Sequence, residues 1–206
     1  APQVSVVSQE STAVSATAGS KADPVLSRAV KSSTVALGSG GADVDIQIPE
    51  FAKGAVAVRL DGRLDEGVWE QVPGYDNMLV MDPDTLADTR YKTDARFFYT
   101  DEGLYIGVYM QQPRETLIAR LSSRDEFINR DSIGITLDTS GEGLYGYWFV
   151  VNLGGSVMDG KVAAERQFSR EWDGPWSSGT AELEDGWSAE MFLPWSMMTM
   201  ADAQDG

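Results

Sequence analysis

The sequence contains neither cysteine nor histidine. Their absence excludes disulfides, thiolate nucleophiles and imidazole bases, and it removes the commonest protein ligands of zinc and haem. Any chemistry would therefore depend on carboxylates, Lys, Tyr, Ser or Thr. The absence of cysteine does not indicate the redox compartment, because a chain without cysteine is compatible with every compartment.

Positive charge is also scarce: 16 Lys and Arg stand against 32 Asp and Glu, which gives a formal net charge of -16. Such a field repels nucleic-acid phosphates and anionic lipid headgroups, so nucleic acid is not an expected partner. No apolar run approaches the roughly 20 residues that a membrane-spanning helix requires, and this segment is predicted not to span a membrane directly. The 206 residues suffice for one domain with a sizeable core.

Residues 1–42 are rich in Ser, Ala, Thr and Val, lack aromatic residues, and close with Gly38-Ser39-Gly40-Gly41. Such a composition cannot bury enough apolar surface to offset the entropy lost on ordering. The sequence predicts a flexible, disordered tail or linker over 1–42 and a globular domain over 43–206.

Short alternating segments separated by Gly, Pro, Asp and Asn follow from residue 44 and predict an antiparallel sheet. Residues 95–99 and 104–110 flank a Gly-containing turn and predict a hairpin, whose second strand places Leu104, Ile106, Val108 and Met110 on one face. Further strands are predicted over 132–138, 145–153 and 187–193. A helix is predicted over 115–122, and a lesser turn over 196–200 after Pro194.

Residues 58–69 combine an apolar strand end, the turn-forming pair Asp61-Gly62 and a short helical turn. In that turn Leu64, Val68 and Trp69 share one side, as their spacing requires. Trp69 is therefore predicted to point inward as a core anchor.

Several motifs in a fixed order resemble carbohydrate-binding module family 9, a β-sandwich family related to the DOMON domains. The resemblance covers residues 44–200 and implies an all-β, antiparallel, jelly-roll-like β-sandwich. It rests on Leu60-Asp61-Gly62 with Trp69, Tyr99 to Tyr105, Arg130-Asp131-Ser132-Ile133, and Gly186-Trp187-Ser188-Ala189-Glu190 before Leu193-Pro194-Trp195.

Residues 147–152, 159–160 and 172–176 look like the variant found at the N-terminus of bacterial outer-membrane β-barrel proteins. That variant is exported, which implies the periplasm, the outer membrane or the extracellular space. A start at Ala1 without methionine fits a cleaved leader, although an artificially chosen boundary would look the same. The family normally adds a strand after Pro194-Trp195, so the domain is predicted to lack its last strand or to take it from another segment or molecule.

Sugar-binding members of the family hold the ligand with a Trp, a Glu and an Arg, and the corresponding positions here are Ile128, Gly134 and Val150. The resemblance therefore does not carry this set over. Sugars also bind on aromatic rings with nearby polar groups, so other side chains become candidates. The candidate ligand-binding residues are Trp148, Asn152, Trp172 and Trp176.

Each candidate ring has an alternative interpretation. Trp148 could be a packing aromatic covered by a loop or domain, although its strand is expected to direct it to the same face as Ser132, Gly134 and Thr136. Trp172 and Trp176 could pin their Gly-Pro loop to the sandwich edge. Trp69, Trp187 and Trp195 are predicted to be core residues, and they are not candidates for the site.

The abundant acidic residues could supply oxygen ligands to a structural calcium ion, which family members often carry. No run has the spacing of a known calcium loop, so a metal site stays unassigned, and a solvated acidic surface is the alternative. Some DOMON relatives bind haem, but without His the usual axial pair cannot form. No other cofactor is expected. No pair of carboxylates is singled out for glycoside hydrolysis, so the segment is not expected to be an enzyme.

The sequence thus predicts a non-catalytic carbohydrate-binding accessory domain of an exported bacterial envelope protein, linked to polysaccharide catabolism. The alternative is a structural or protein-interaction domain that packs on an outer-membrane β-barrel or another partner and binds no sugar.

Overall fold

The computed structural model describes residues 3–9, 14–16, 46, 48–80, 85–126, 128–141, 143–164 and 167–200. Within these ranges the chain forms twelve strands, and the helical elements are two short 3-10 turns. None of the helical segments in the described part of the chain is long and apolar enough to cross a membrane. The strands are β1 (Gln3–Gln9), β2 (Val14–Ala16), β3 (Gly74–Tyr75), β4 (Met78–Val80), β5 (Thr93–Tyr99), β6 (Gly103–Gln111), β7 (Ser132–Asp138), β8 (Tyr145–Asn152), β9 (Val157–Ala163), β10 (Gln167–Ser169), β11 (Ser177–Glu182) and β12 (Gly186–Pro194).

The strands form two five-stranded antiparallel sheets. Sheet I has the order β1-β7-β8-β9-β10, and sheet II has the order β11-β12-β6-β5-β3; β2 and β4 form a separate pair. All neighbouring strands in both sheets run antiparallel. The sheets lie face to face, and the predicted all-β antiparallel sandwich is confirmed.

The main core lies between the sheets and follows the period-two alternation of their strands. Sheet II contributes the predicted row of β6, and sheet I contributes the inward residues of β7 and β8, all of them buried. The predicted inward faces of β6 and β7 are thereby confirmed. These core residues are Leu104, Ile106, Val108 and Met110 from β6, Ile133, Ile135 and Leu137 from β7, and Tyr147, Phe149 and Val151 from β8.

A second, smaller core covers the outer face of sheet II. Residues 51–72, here called the covering segment, place Val68, Trp69 and Val72 against Phe98 of β5. The helical turn predicted before Trp69 is present, since the Trp69 amide donates to the Glu66 carbonyl at 3.0 Å. Trp69 is 1% exposed, so its predicted inward position is confirmed.

The predicted helix over 115–122 is wrong. The structure has only a 3-10 turn at Arg114–Thr116, followed by an extended Leu117. The reason is that local backbone groups bond to buried side chains instead of to a helical ladder: the Ile118 amide donates to Asp131 at 2.6 Å, and the Gln112 side chain donates to the Thr116 carbonyl. The turn expected after Pro194 is present as a 3-10 turn at Trp195–Met197.

The range predicted as a tail, 1–42, contains β1 and β2. The backbone of β1 pairs with β7 from Gln3 opposite Asp138 to Gln9 opposite Ser132. The other residues of 1–42, including the Gly-rich end, lie outside the described residues.

Candidate functional site

The outer face of sheet I carries a pocket. Pairing of Gly134 with Val150 and of Thr136 with Trp148 puts these residues on the face opposite the core, as the sequence predicts for β7 and β8. Because Gly134 has no side chain, the sheet surface is recessed there. The pocket measures about 320 Å³, within the range of about 300–1,000 Å³ that small-molecule sites usually occupy. It is lined by Ile128, Arg130, Ser132, Gly134, Ile135, Thr136, Trp148, Phe149, Val150, Met158, Phe168 and Arg170.

Trp148 lies at the floor of this pocket and is only 7% exposed. Its indole Nε1 donates to the Ser169 carbonyl at 3.1 Å, and Phe168 meets the ring edge-on with centroids 6.3 Å apart. The neighbouring Gly160 makes room for it, since a Cβ there would lie 2.7 Å from the Trp148 Nε1. The accessible aromatic ring at the pocket is therefore Phe168, which is 60% exposed.

Arg130 is a buried cation in the wall of the pocket, 6% exposed. Its guanidinium donates to the carbonyls of Arg120 and Glu126, to the Ser122 hydroxyl and to the Met158 sulfur. Among the described residues, no carboxylate forms a salt bridge with it. Burial lowers the pKa of Arg130, and the charge of Glu126 opposes that shift.

The other three candidate residues lie elsewhere. Trp172 and Trp176 contact the inner face of sheet I, where their rings lie 4.7 Å from Tyr147 and 5.5 Å from Phe149 respectively. They pack into the main core, on the opposite side of β8 from Trp148. Asn152 is 1% exposed and bonds to the backbone of Ser156. Of the four candidates, the structure brings only Trp148 to the pocket.

Three carboxylates converge beside the inner face of sheet I. Single oxygens of Asp125, Asp159 and Asp173 lie within 4.8 Å of one another. Asp159 is fully buried; burial raises its pKa, while the Gly174 amide and Arg124 act in the opposite direction.

Arg124 takes the space that a cation would need among these carboxylates. It bonds to Asp159 and, at 2.9 Å, to Asp173. In this arrangement the cluster is an ion-pair network that already includes a cation. Asp82 and Asp84, two other acidic residues that the sequence offers as oxygen ligands, lie outside the described residues.

Glu190 on β12 is a second buried acid, and its hydrogen bonds connect motifs that carry the family resemblance. One carboxylate oxygen accepts the amides of Asp61 and Gly62 at 3.0 and 2.9 Å, and the other accepts the Trp69 indole at 3.1 Å. Burial, reinforced by the charge of Glu66, raises the pKa of Glu190 to about 7. Gly62 is required in this arrangement, because its φ is +87° and a Cβ would lie 2.2 Å from the Thr180 backbone.

Phe168, Arg130 and Arg170 were not predicted as site residues. Phe168 lies in the short edge strand β10, and Arg170 directly follows that strand. A strand of three residues is too short for its alternation to predict which side chains share a face. Arg130 could have been found, since it precedes β7, the strand expected to face the site. The three positions named by the resemblance, Ile128, Gly134 and Val150, all line the pocket.

No family model matches the chain, and no curated protein matches it in sequence. Among solved structures, it is similar to a carbohydrate-binding module family 9 protein from Caldicellulosiruptor kristjanssonii in complex with cellotriose, with a TM-score of 0.50, 16% identity, and coverage of 71% of this chain and 67% of that one. A module of the same family from this organism, in complex with glucose, aligns at a TM-score of 0.46 and 16% identity over 73% of this chain and 71% of that one. The likeness to the cellotriose complex shows that this chain has a fold like that of carbohydrate-binding module family 9.

Proposed function

We propose that this chain binds carbohydrate, without catalysis, in the pocket on the outer face of sheet I. The observation that carries the proposal is the position of the pocket: it is lined by Ile128, Gly134 and Val150, the positions at which the resembled family holds its sugar. A structural neighbour with the same fold is a carbohydrate-binding module in complex with cellotriose. The exposed ring of Phe168 and the edge of Trp148 offer apolar surface to the CH groups of a sugar.

Binding without hydrolysis agrees with the chemistry of the pocket. Glycoside hydrolysis needs two carboxyl groups on either side of the scissile bond. Among the described residues that line the pocket, none is an Asp or a Glu. The buried acids Asp131, Asp159 and Glu190 are engaged in internal hydrogen bonds away from it. Any hydrolase activity of a longer protein would belong to another part of that protein.

We place this activity in an exported bacterial envelope protein, of the variant that resembles N-terminal domains of outer-membrane β-barrel proteins and is linked to polysaccharide catabolism. The support for this placement is the set of motifs in residues 147–152, 159–160 and 172–176. A structural calcium ion is not part of the proposal, because Arg124 already forms ion pairs with the three carboxylates between which calcium would bind.

A second candidate function is docking on a partner protein such as a β-barrel. The specific observation that favours it is the apolar character of the three clamp positions: Ile128, Gly134 and Val150 offer no hydrogen-bonding side chain to sugar hydroxyls. Under this alternative, Phe168 would be covered by protein rather than by a saccharide, and no saccharide would bind.

The experiment is a glycan array followed by calorimetric titration, with matched variants. Phe168→Ala should weaken the affinity for a bound saccharide about three- to tenfold, the usual contribution of one aromatic contact. Tyr145→Ala is the control, because Tyr145 is also aromatic and 41% exposed but does not line the pocket. Absence of any saccharide binding would contradict the proposed function and favour the protein-docking alternative. Equal affinities for the two variants would contradict the placement of the saccharide in this pocket.

A further inference from the structure

The sheet I pocket offers few side-chain hydrogen bonds to a sugar. Both terminal nitrogens of Arg130 donate to acceptors within the protein, and Arg170 is also engaged within the chain. The indole of Trp148 donates to a backbone carbonyl of β10 at 3.1 Å. In the described part of the pocket wall, the remaining polar side chains are those of Ser132 and Thr136, both on β7. Hydrogen-bonding groups for ligand hydroxyls are therefore concentrated on the β7 side.

The pocket is apolar across from these hydroxyls. Strand pairing puts Val150 of β8 opposite Gly134 of β7, and Met158 of β9 opposite Val150, so the three residues form one row across sheet I. Gly134 adds no side chain to this row, and the half-buried Val150 is the first side chain beside the gap. Phe168 of β10 adds an exposed ring. The row thus forms an apolar recess that starts between the two hydroxyl-bearing residues of β7.

This recess disfavours a hydroxyl group and favours a methyl group. A hydroxyl that is moved from water onto an apolar surface, without a hydrogen-bond partner, loses the free energy of its hydration. A methyl group in the same place gains free energy, because it is removed from water. A sugar that matches both sides of the pocket has hydroxyls along one edge of the ring and a methyl group on another. A 6-deoxyhexose has this pattern, and an O-acetyl group also supplies a methyl group.

Building on the proposed function, we infer that the pocket selects saccharides that carry a methyl group over their counterparts without one. The methyl group lies in the recess beside Gly134 and Val150, and the hydroxyls of the ring face Ser132 and Thr136. The apolar clamp positions thereby become the basis of selectivity. The cellotriose bound by the structural neighbour has no methyl group, so the two proteins would differ in ligand class.

The test uses pairs of probes that differ in the methyl group. L-Fucose and L-galactose differ only in carrying a methyl or a hydroxymethyl group at C5, and so do L-rhamnose and L-mannose. The third pair is O-acetylated xylotriose and the same trisaccharide after deacetylation, which distinguishes the acetyl source from the 6-deoxy source. In at least one pair, calorimetric titration should show about fivefold or tighter binding of the methyl-bearing member, the scale of one buried methyl group and one hydroxyl left in water.

Saturation-transfer NMR tests where the methyl group lies. In the complex with the preferred probe, the methyl protons should receive the strongest saturation from the protein, because they are surrounded by apolar side chains. Stronger saturation of the ring protons than of the methyl protons would overturn the inference.

Val150→Thr places a hydroxyl in the recess on a side chain of nearly the same shape, and it should lower the preference for the methyl-bearing probe about three- to tenfold. The matched control is Val80→Thr, which makes the same substitution at a half-buried position of β4, outside sheet I, and should leave the preference unchanged. An unchanged preference in Val150→Thr would overturn the placement. Should that variant not fold, the probe pairs and the NMR measurement on the unmodified protein still decide.

The outcomes separate the inference from the proposed function. Equal or tighter binding of the methyl-free member in all three pairs would overturn the inference and leave carbohydrate binding intact. Binding of a methyl-free saccharide by a protein that binds no methyl-bearing probe would do the same. If no saccharide binds, or if cyclohexanol binds as tightly as the preferred saccharide, the proposed function fails and the inference fails with it.

Discussion

Sheets I and II each bury one face in the common core, and they differ in what lies on the other face. The outer face of sheet II is covered by residues 51–72, which bring Trp69 and Leu64 against Phe98 and Tyr105. The outer face of sheet I carries a pocket with Phe168 exposed at its rim. The outer surface of sheet II therefore contributes to the stability of the domain, and the outer surface of sheet I carries the pocket that we propose as the ligand site.

This difference explains what the sequence motifs report. Asp61, Gly62, Trp69 and Glu190 are among the residues on which the family resemblance rests, and they bond to one another on the covered face. They are needed for the fold whatever the domain binds. The residues of the open face have no such constraint, so they can change with the ligand.

The largest expected effect comes from truncating a buried side chain on the covered outer face of sheet II. Trp69→Ala removes a side chain that is 1% exposed, loses the contact with Phe98, and leaves a Glu190 oxygen without its indole donor. We expect the free energy of unfolding to fall by about 3–5 kcal/mol, the usual cost of truncating a buried Trp. Urea denaturation followed by circular dichroism measures it. A loss below about 1 kcal/mol would show that the covering segment contributes little.

The next prediction concerns the pH dependence of stability that Glu190 causes on the covered face of sheet II. Glu190 has a pKa of about 7 in the folded protein against an ordinary value of 4.5, so the folded state binds more protons between these two values. Its contribution to stability is therefore complete below pH 4.5 and is lost as the pH rises to about 7. The loss is of the order of 3 kcal/mol, since one pKa unit corresponds to about 1.4 kcal/mol.

Glu190→Gln provides the control for this prediction, because Gln resembles the protonated acid and does not titrate. Denaturation at several pH values should give a smaller decline for this variant than for the unmodified protein, and the difference isolates Glu190 from Asp131 and Asp159, whose pKa values are also raised by burial. Parallel pH profiles would contradict the assignment.

A smaller effect concerns the buried acid of sheet I. Unlike Glu190, Asp159 has a cation beside it, and Arg124→Ala leaves three carboxylates with none. We expect the free energy of unfolding of this variant to fall by about 2 kcal/mol. This is less than the cost of breaking a fully buried pair, because the Arg124 side chain is 38% exposed.

Calcium should then matter only in the variant. Millimolar CaCl₂ should raise the melting temperature of Arg124→Ala and leave that of the unmodified protein unchanged, as differential scanning fluorimetry would show. Arg114→Ala, which removes an exposed arginine 3.8 Å from Glu182, is the matched control. A calcium response in the unmodified protein would mean that Arg124 yields its place to the ion.

The smallest effect on stability is expected on the open face. Phe168→Ala removes a ring that is 60% exposed, so the free energy of unfolding should change by less than about 0.5 kcal/mol. The same urea series as for Trp69→Ala measures it. A large loss would mean that Phe168 holds β10 in place and is not a ring available to a ligand.

Sequence reasoning succeeded where alternation was uninterrupted. The hairpin of β5 and β6 and the inward faces of β6 and β7 followed from apolar residues at every second position. Strand β9 was missed because Asp159, Gly160 and Lys161 interrupt its pattern, and β11 was missed because the sequence of Ser177–Glu182 contains almost no apolar residue. The buried Asp159 has a physical reason that only tertiary structure reveals, namely the nearby Arg124.

The site was harder to predict than the fold. The orientation of Trp148 followed from the strand, but the position of the loop at 172–176 did not, and the loop lies on the core side of the sheet. Aromatic content does not separate a ring that stacks on a ligand from one that packs inside. The charges of Arg130 and Arg170 in one pocket depend on how β10 returns beside β9, which no local pattern specifies.

The bonds from Asp61 and Gly62 to Glu190 connect positions 129 and 128 residues apart. During synthesis, the covering segment emerges long before the strand that receives it, and contacts of such sequence separation form slowly. Until β12 is in place, Trp69 has no partner for its indole and remains a site for chaperones or for aggregation. Closure of this distant link is therefore expected to be a late step of folding, one that has to wait for β12.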